Sequence, residues 1–210
     1  MSKDIKNNGR EFVDLGLPSG TLWSTCNVGA SNPSDFGLYF QWGDVQGYTA
    51  EQVGNGDGQK KFSSDFSDYK WYLSGDDFDS DNFTKYKTEG VTLDLEDDAA
   101  NHYMGGSWHI PSSEQIQELI DNTTSNWIKL DDVNGRLFTS KKNGKSIFIP
   151  AAGLAWDGSL RSEGSEADVW SSMLSAGNVN YGQYLYFGSG NINFSFNDRC
   201  VGFSVRGVIG

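Results

Sequence analysis

Lysine and glutamate vanish from the last part of this chain. From Leu174 to Gly210 neither occurs, and the only charged residues are Asp198, Arg199 and Arg206. Other scarcities are just as informative. The two cysteines, Cys26 and Cys200, are too few for a disulfide framework or a thiolate zinc centre and read as free thiols. Four prolines beside 26 glycines point to many tight turns and away from a Pro-rich linker or a disordered tract. No apolar run approaches the roughly 18 residues of a membrane span, so no membrane insertion is expected. Basic residues number 16 against 28 acidic ones, a net charge of −12. The cationic surface that nucleic acid or an anionic membrane needs is therefore missing. The opening "MSKDIKNNGR" lacks an apolar stretch and predicts no secretory signal.

What is present is aromatic. Seven Trp, nine Tyr and 13 Phe imply a core built from flat, large side chains. No linker or internal repeat divides the chain, which reads as a tail (1–10) followed by a single domain (11–210). Two helices are legible. "DLEDDAANHYM" (Asp94–Met104) opens with carboxylates that suit the positive end of a helix dipole. In "PSSEQIQELIDNT", Ser112 and Gln115 match a capping box, and Ile116, Leu119 and Ile120 form an apolar stripe. Strand signals follow. Asn143-Gly144 separates two apolar runs as in a hairpin, Gly188-Ser189-Gly190 separates two more, and "GFSVRGV" supplies a further strand. Helices early and strands late predict an α+β fold with short antiparallel sheets and much irregular loop.

Sites of chemistry are sparse. Cys26 could pair with His102 or His109, although a cysteine among apolar residues is ordinarily a packing residue, and His109, between Trp108 and Ile110, reads as structural. Asp76, Asp77, Asp79 and Asp81 offer hard oxygen ligands of the kind calcium takes, as does "GNGDG" (54–58). Both stretches lack the glycine and glutamate pattern of an EF-hand loop and read as acidic surface loops. No phosphate-cradling glycine pattern occurs. No cofactor, no metal and no enzymatic activity are expected.

The phrases "FVDLGLPSGTLWSTCNVGAS", "FGLYFQWGD", "YKWY", "LEDDAANHYMGGSWHIPSSEQIQELIDN", "GKSIFIPAAG", "VWSS", "YLYF" and "GFSVRGV", in that order, carry a resemblance over about residues 11–208. The chain resembles Bacteroidetes-type domains of the C-type lectin-like superfamily, in the branch related to formylglycine-generating enzymes. That branch includes variable proteins diversified by retroelements. The resemblance implies a lectin-like scaffold whose C-terminal strands and loops present a binding face, with variation between "WSS" and "GF.VR", here Met173 to Val201. Such diversification rewrites codons to NNY, which never encode Lys, Glu, Gln, Met or Trp. Between Leu174 and Val201 only Gln183 falls outside the encodable set. Tyr and Phe among Ser, Gly and Asn, without Lys or Glu, is also the composition of interface centres.

Implied binding positions are Met173, Ser175, Ala176, Gly177, Val179, Tyr181, Gln183, Phe194, Phe196, Asn197, Asp198, Cys200 and Val201. Strand alternation alone sends Ile192, Phe194 and Phe196 to one face, toward the core. The resemblance instead ends the strand near Asn193 and exposes both phenylalanines, and the display reading is the one adopted. Trp170, Phe203 and Val205 are assigned to packing, and Arg206 to a structural hydrogen-bonding role.

The paired cysteines of formylglycine-generating enzymes and the Glu-Pro-Asn or Gln-Pro-Asp triplet of calcium-dependent lectins have no counterpart. The expected function is non-enzymatic binding of a protein or cell-surface ligand, displayed on a cell surface or phage particle. An undiversified surface or phage-associated adhesin domain of the same family is the alternative, with a formylglycine-generating-like enzyme behind it.

Overall fold

A computed structural model describes residues 5–54, 61–73 and 82–210. The acidic stretch 76–81, and all of 54–58 but Gly54, lie outside the described residues. The chain is mixed α+β, with three helices and several small sheets among the described residues. Strands β1 (Ile5–Asn7), β2 (Arg10–Asp14) and β3 (Leu22–Asn27) join the last strand, β14 (Arg206–Ile209), in the order β1-β2-β3-β14. Part of the expected tail is thus a paired strand. Asn7 and Asn8 tie it down, the Asn7 carbonyl accepting from Trp108 Nε1 (3.2 Å) and Asn8 Nδ2 donating to the Met104 carbonyl (2.5 Å).

The second sheet holds the region of interest. Its order is β12 (Ile192–Asp198), β11 (Tyr181–Gly188), β10 (Glu166–Leu174), β13 (Phe203–Ser204) and β4 (Tyr39–Phe40). All its pairings are antiparallel except β10 with β13. A third sheet comprises β5 (Thr123–Leu130), β6 (Val133–Ser140) and β7 (Ser146–Pro150), and β8 (Leu154–Trp156) with β9 (Ser159–Arg161) forms a small hairpin. The Asn143-Gly144 hairpin joins β6 to β7, with Gly144 at φ 74°.

"GFSVRGV" forms two strands, not one. Phe203 and Ser204 belong to the second sheet, Arg206 onward to the first, and Val205 at the junction accepts from the Val28 amide (2.8 Å). One extended segment therefore stitches two sheets together. The stretch 94–104 is also divided. Leu95–Asp97 is a 3-10 turn and α2 is Ala99–Met104, following the short α1 (Ala50–Gly54). The break lies at Asp98, whose carboxylate accepts from the Asn101 amide (2.9 Å) and the Ile110 amide (2.7 Å). An aspartate that caps in this way competes with the helical hydrogen bond and starts a new helix.

α3 (Ser113–Asn122) is as read, with the reciprocal Ser112–Gln115 capping box in place. Its Ile116 and Leu119 are buried against Trp23, Phe138, Leu185 and Phe187, between the first two sheets and the third. A second cluster centres on Trp42, Trp108, Trp170, Phe40, Phe83 and Phe203. Trp170 and Phe203 lie 4.2 Å apart between centroids, and each indole N–H of Trp42 and Trp170 donates to a backbone carbonyl, Ser171 and Phe40 respectively. Polar handles on buried rings fix them in one orientation. Trp170, Phe203 and Val205 are thus packed framework.

Candidate functional site

The segment from Met173 to Val201 forms the end of β10, a loop (175–180), the β11–β12 hairpin and a final turn. The loop is held from both sides. Gly90 donates its amide to the Ser175 carbonyl (3.0 Å), Ser175 donates to Tyr181 (2.8 Å), and Arg199 donates to Asn180 (2.9 Å). The far end of the hairpin is clamped by Arg136 of β6. Its Nε donates to the Gly188 carbonyl (3.0 Å), and Nη2 to those of Ser189 (3.2 Å) and Asn191 (3.4 Å). Both ends of the hairpin are therefore pinned to the rest of the molecule.

β12 does not end near Asn193. It pairs with β11 in unbroken register, Ile192 opposite Phe187 through Asp198 opposite Tyr181. Alternation then places Ile192, Phe194, Phe196 and Asp198 on one face, with Phe187, Leu185, Gln183 and Tyr181 beside them. The lower half of this face, Ile192 and Phe194, packs on the α3 cluster, while Phe196 lies beyond its rim and is 52% exposed. The two phenylalanines have different fates: Phe194 is a half-buried core neighbour and Phe196 an open ring. Tyr181, diagonal to Phe196, is 37% exposed.

The sequence-predicted positions divide three ways. Ala176, Gly177, Tyr181 and Phe196 are exposed. Met173, Gln183, Phe194, Asn197 and Asp198 are half-buried. Ser175, Val179, Cys200 and Val201 are buried, against the expectation that they face a ligand. The physical reason is the turn after Asp198. The Val201 amide donates to the Asp198 carbonyl (3.0 Å), which drives the chain inward, and Cys200, Val201 and Val179 join the Trp42–Trp170 cluster. Burial pushes the Cys200 thiol far above its ordinary range, and the Asp198 carboxylate adds to the shift. Cys200 and Cys26 are both free thiols.

Gln183 is held in place within the half-buried group. Its side chain accepts from Ser113 Oγ at the start of α3 and donates to the Leu174 carbonyl (3.3 Å). The Asp198 carboxyl is raised above the usual carboxylate range by burial alone. Within two adjacent cross-strand pairs the patch thus presents a phenol, a phenyl ring, an amide and a carboxyl, and the loop that leads into Tyr181 carries exposed Ala176 and Gly177. These groups recognise by contact area and hydrogen bonding. Sequence reasoning missed Asn178, half-exposed in the loop, and Ser113, which reaches the patch from another element. No local pattern announces Ser113, since its role depends on where α3 docks.

Other candidates lie elsewhere. Cys26 lines a cleft of about 300 Å³ with Arg10, Asn27 and Tyr103 on its walls, but neither His102 nor His109 is among its lining residues. His109 Nδ1 is 3.1 Å from the Ser107 carbonyl, and its backbone pairs with Val208. Asp94, Glu96 and Asp97 cluster closely enough for a cation, and the Lys85 ammonium sits among them at 2.8, 2.9 and 2.6 Å. Arg206 is fully buried, donating to the carbonyls of Ser24 (3.0 Å) and Phe148 (2.8 Å). The chain matches no family model, no curated protein and no solved structure.

Proposed function

We propose that this protein is a non-enzymatic binding module. A lectin-like scaffold presents a variable face between Met173 and Val201, in the manner of retroelement-diversified proteins. One observation carries the reading: exposed Ala176 and Gly177 lie on the loop before β11 and exposed Tyr181 and Phe196 on the β11–β12 hairpin, which Arg136 holds at its turn, the Ser175–Tyr181 and Arg199–Asn180 backbone bonds hold at its base, and Trp42 and Trp170 back at Gly182. A surface that must change partners without unfolding needs that separation between displayed and packed residues. The ligand is a protein or a cell-surface component met through this face.

The test is a library that randomises Ala176, Gly177, Tyr181, Phe196 and Asn197 together. Members are expected to melt within about 3 °C of the parent, less than about 1 kcal/mol for a chain of this size, and to select different binders. General loss of cooperative unfolding across the library would overturn the reading. Diversification is tested separately. A template repeat and reverse transcriptase beside the coding sequence, with isolate variation confined to NNY codons in this window, are the expected findings. Their absence favours a fixed adhesin domain of the same architecture.

A further inference from the structure

β12 is the outer strand of the five-stranded sheet, and its far edge is bare among the described residues. The Gly188 amide donates to the Asn191 carbonyl (3.2 Å), which sets the hydrogen-bonding phase of the hairpin. In an antiparallel pair the bonded and non-bonded residues alternate. Asn193, Ser195 and Asn197 therefore bond to β11, while Ile192, Phe194 and Phe196 turn their amides and carbonyls outward. Two independent contacts agree with this phase. The Glu166 carbonyl faces away from β11, toward Gly153, and the Asp198 amide, also outward, is satisfied by its neighbour Asn197 Oδ1 (2.9 Å). No described residue reaches the outward groups of Ile192, Phe194 or Phe196.

Open edges are ordinarily guarded by shortness, lysine, proline or a bulge. At the opposite end of this sheet β4 has two residues, and elsewhere β1 has three and β5 carries Lys129. β12 has seven residues, "INFSFND", with no lysine, no proline and no break in register. Three donors and three acceptors at two-residue spacing are matched by only one kind of partner, another extended backbone. A second copy of this chain would bring together two bodies each charged −12, which long-range repulsion opposes.

Deepening the binding reading above, we infer that β12 takes an extended segment of a foreign polypeptide, uncharged to basic in character, as an added antiparallel or parallel strand. The backbone ladder supplies affinity that does not depend on which residues occupy the face. The side chains of Phe194 and Phe196, flanking the new strand, then select among sequences. That division suits a site whose side chains vary, because the ladder survives every substitution except proline.

Random linear peptides displayed on phage, selected on the whole chain and then synthesised, provide the probe. Selected peptides are expected to slow hydrogen exchange of the Ile192, Phe194 and Phe196 amides. Phe196→Ala keeps the outward amide, whereas Phe196→Pro removes it at an edge position where proline does not disturb pairing with β11. The proline variant is expected to bind roughly tenfold more weakly than the alanine variant, the worth of one hydrogen bond. Should Phe196→Pro fail to fold, methylating alternate backbone nitrogens of the peptide asks the same question from the other side, and unimpaired binding would sink the proposal. So would equal affinity of the alanine and proline variants. Binders that emerge only from a library of folded domains, leaving the three amides unprotected, would overturn the edge while preserving the face. Failure of both libraries would remove both. Protection of the three amides in the peptide-free protein, with a dimer in sedimentation, would assign the edge to a second copy and likewise overturn the inference.

Discussion

Buried ionisable residues separate structural roles from soft spots. Asp168 on β10 is 2% exposed, faces Tyr186 across the strand pair, and leaves Oδ2 without a hydrogen-bond partner. Burial, and secondarily the charge of Glu166, push its carboxyl up to about 7. In the unfolded chain the same group ionises near about 3.9. Between those values the folded state holds more protons than the unfolded one, so stability falls as pH rises through the window and is lowest above it. Asp168→Asn removes this dependence. The melting temperature of the parent is expected to drop more than that of the variant between about pH 5 and pH 8, and parallel curves would refute the assignment. The two fully buried arginines, Arg206 and Arg199, differ in the same way. Arg206 joins β3 to β7 through two carbonyls and leaves only Nε unpartnered, and Arg206→Met should cost about 2–4 kcal/mol by chemical denaturation. Arg199 makes one bond, to the Tyr86 carbonyl, leaves Nε and Nη2 unpartnered, and stacks 3.7 Å from the Phe83 centroid. Arg199→Met is expected to cost less, because it gives up one backbone hydrogen bond where Arg206→Met gives up two that tie separate strands.

At the scale of elements, the β10–β11–β12 unit is tightly constrained, with β11 and β12 in regular register. Gly182 lies inside the window that the resemblance marks as variable, yet a Cβ there would come within 2.7 Å of Trp42 Cδ1 and 2.9 Å of Trp170 Cζ3. Both indoles are anchored by their N–H groups and cannot withdraw. Gly182→Ala should therefore destabilise by about 1–3 kcal/mol, measured in urea, whereas Gly177→Ala, with open space around it, should be nearly silent. The element boundaries show why alternation and resemblance each captured half of β12. Period-two patterning names the face correctly, but a face can extend past the core that covers it. Phe194 falls inside that cover and Phe196 outside it.

For the whole molecule, two aromatic and aliphatic clusters are stitched by one C-terminal segment that belongs to two sheets in turn. Such interlocking makes the frame cooperative, so damage reports where a residue truly sits. Exchanging Tyr181 and Phe196 together for serine is expected to leave thermal unfolding almost unchanged. Val201→Asn, only five residues from Phe196 but packed in the Trp42–Trp170 cluster, should lower stability by about 2 kcal/mol or more. Similar melting temperatures for the two variants would mean that the division between frame and face is misplaced.

Several features were legible without coordinates because their causes are local. The Ser112–Gln115 cap, the α3 stripe and the hairpins at Gly144 and Gly190 all follow from side-chain chemistry within a few residues, and the resemblance supplied the packing of Trp170 and Phe203. The depth of Ser175, Val179, Cys200 and Val201, the division of "GFSVRGV" between two sheets, the bond from the Ile110 amide to Asp98 and the approach of Ser113 to Gln183 were decided only by tertiary structure. Burial and cross-sheet partnership depend on what a distant segment brings to a residue, and no periodicity in the chain encodes that distance. The resemblance carried by the sequence therefore named a candidate surface. Packing determined which of its side chains meet solvent.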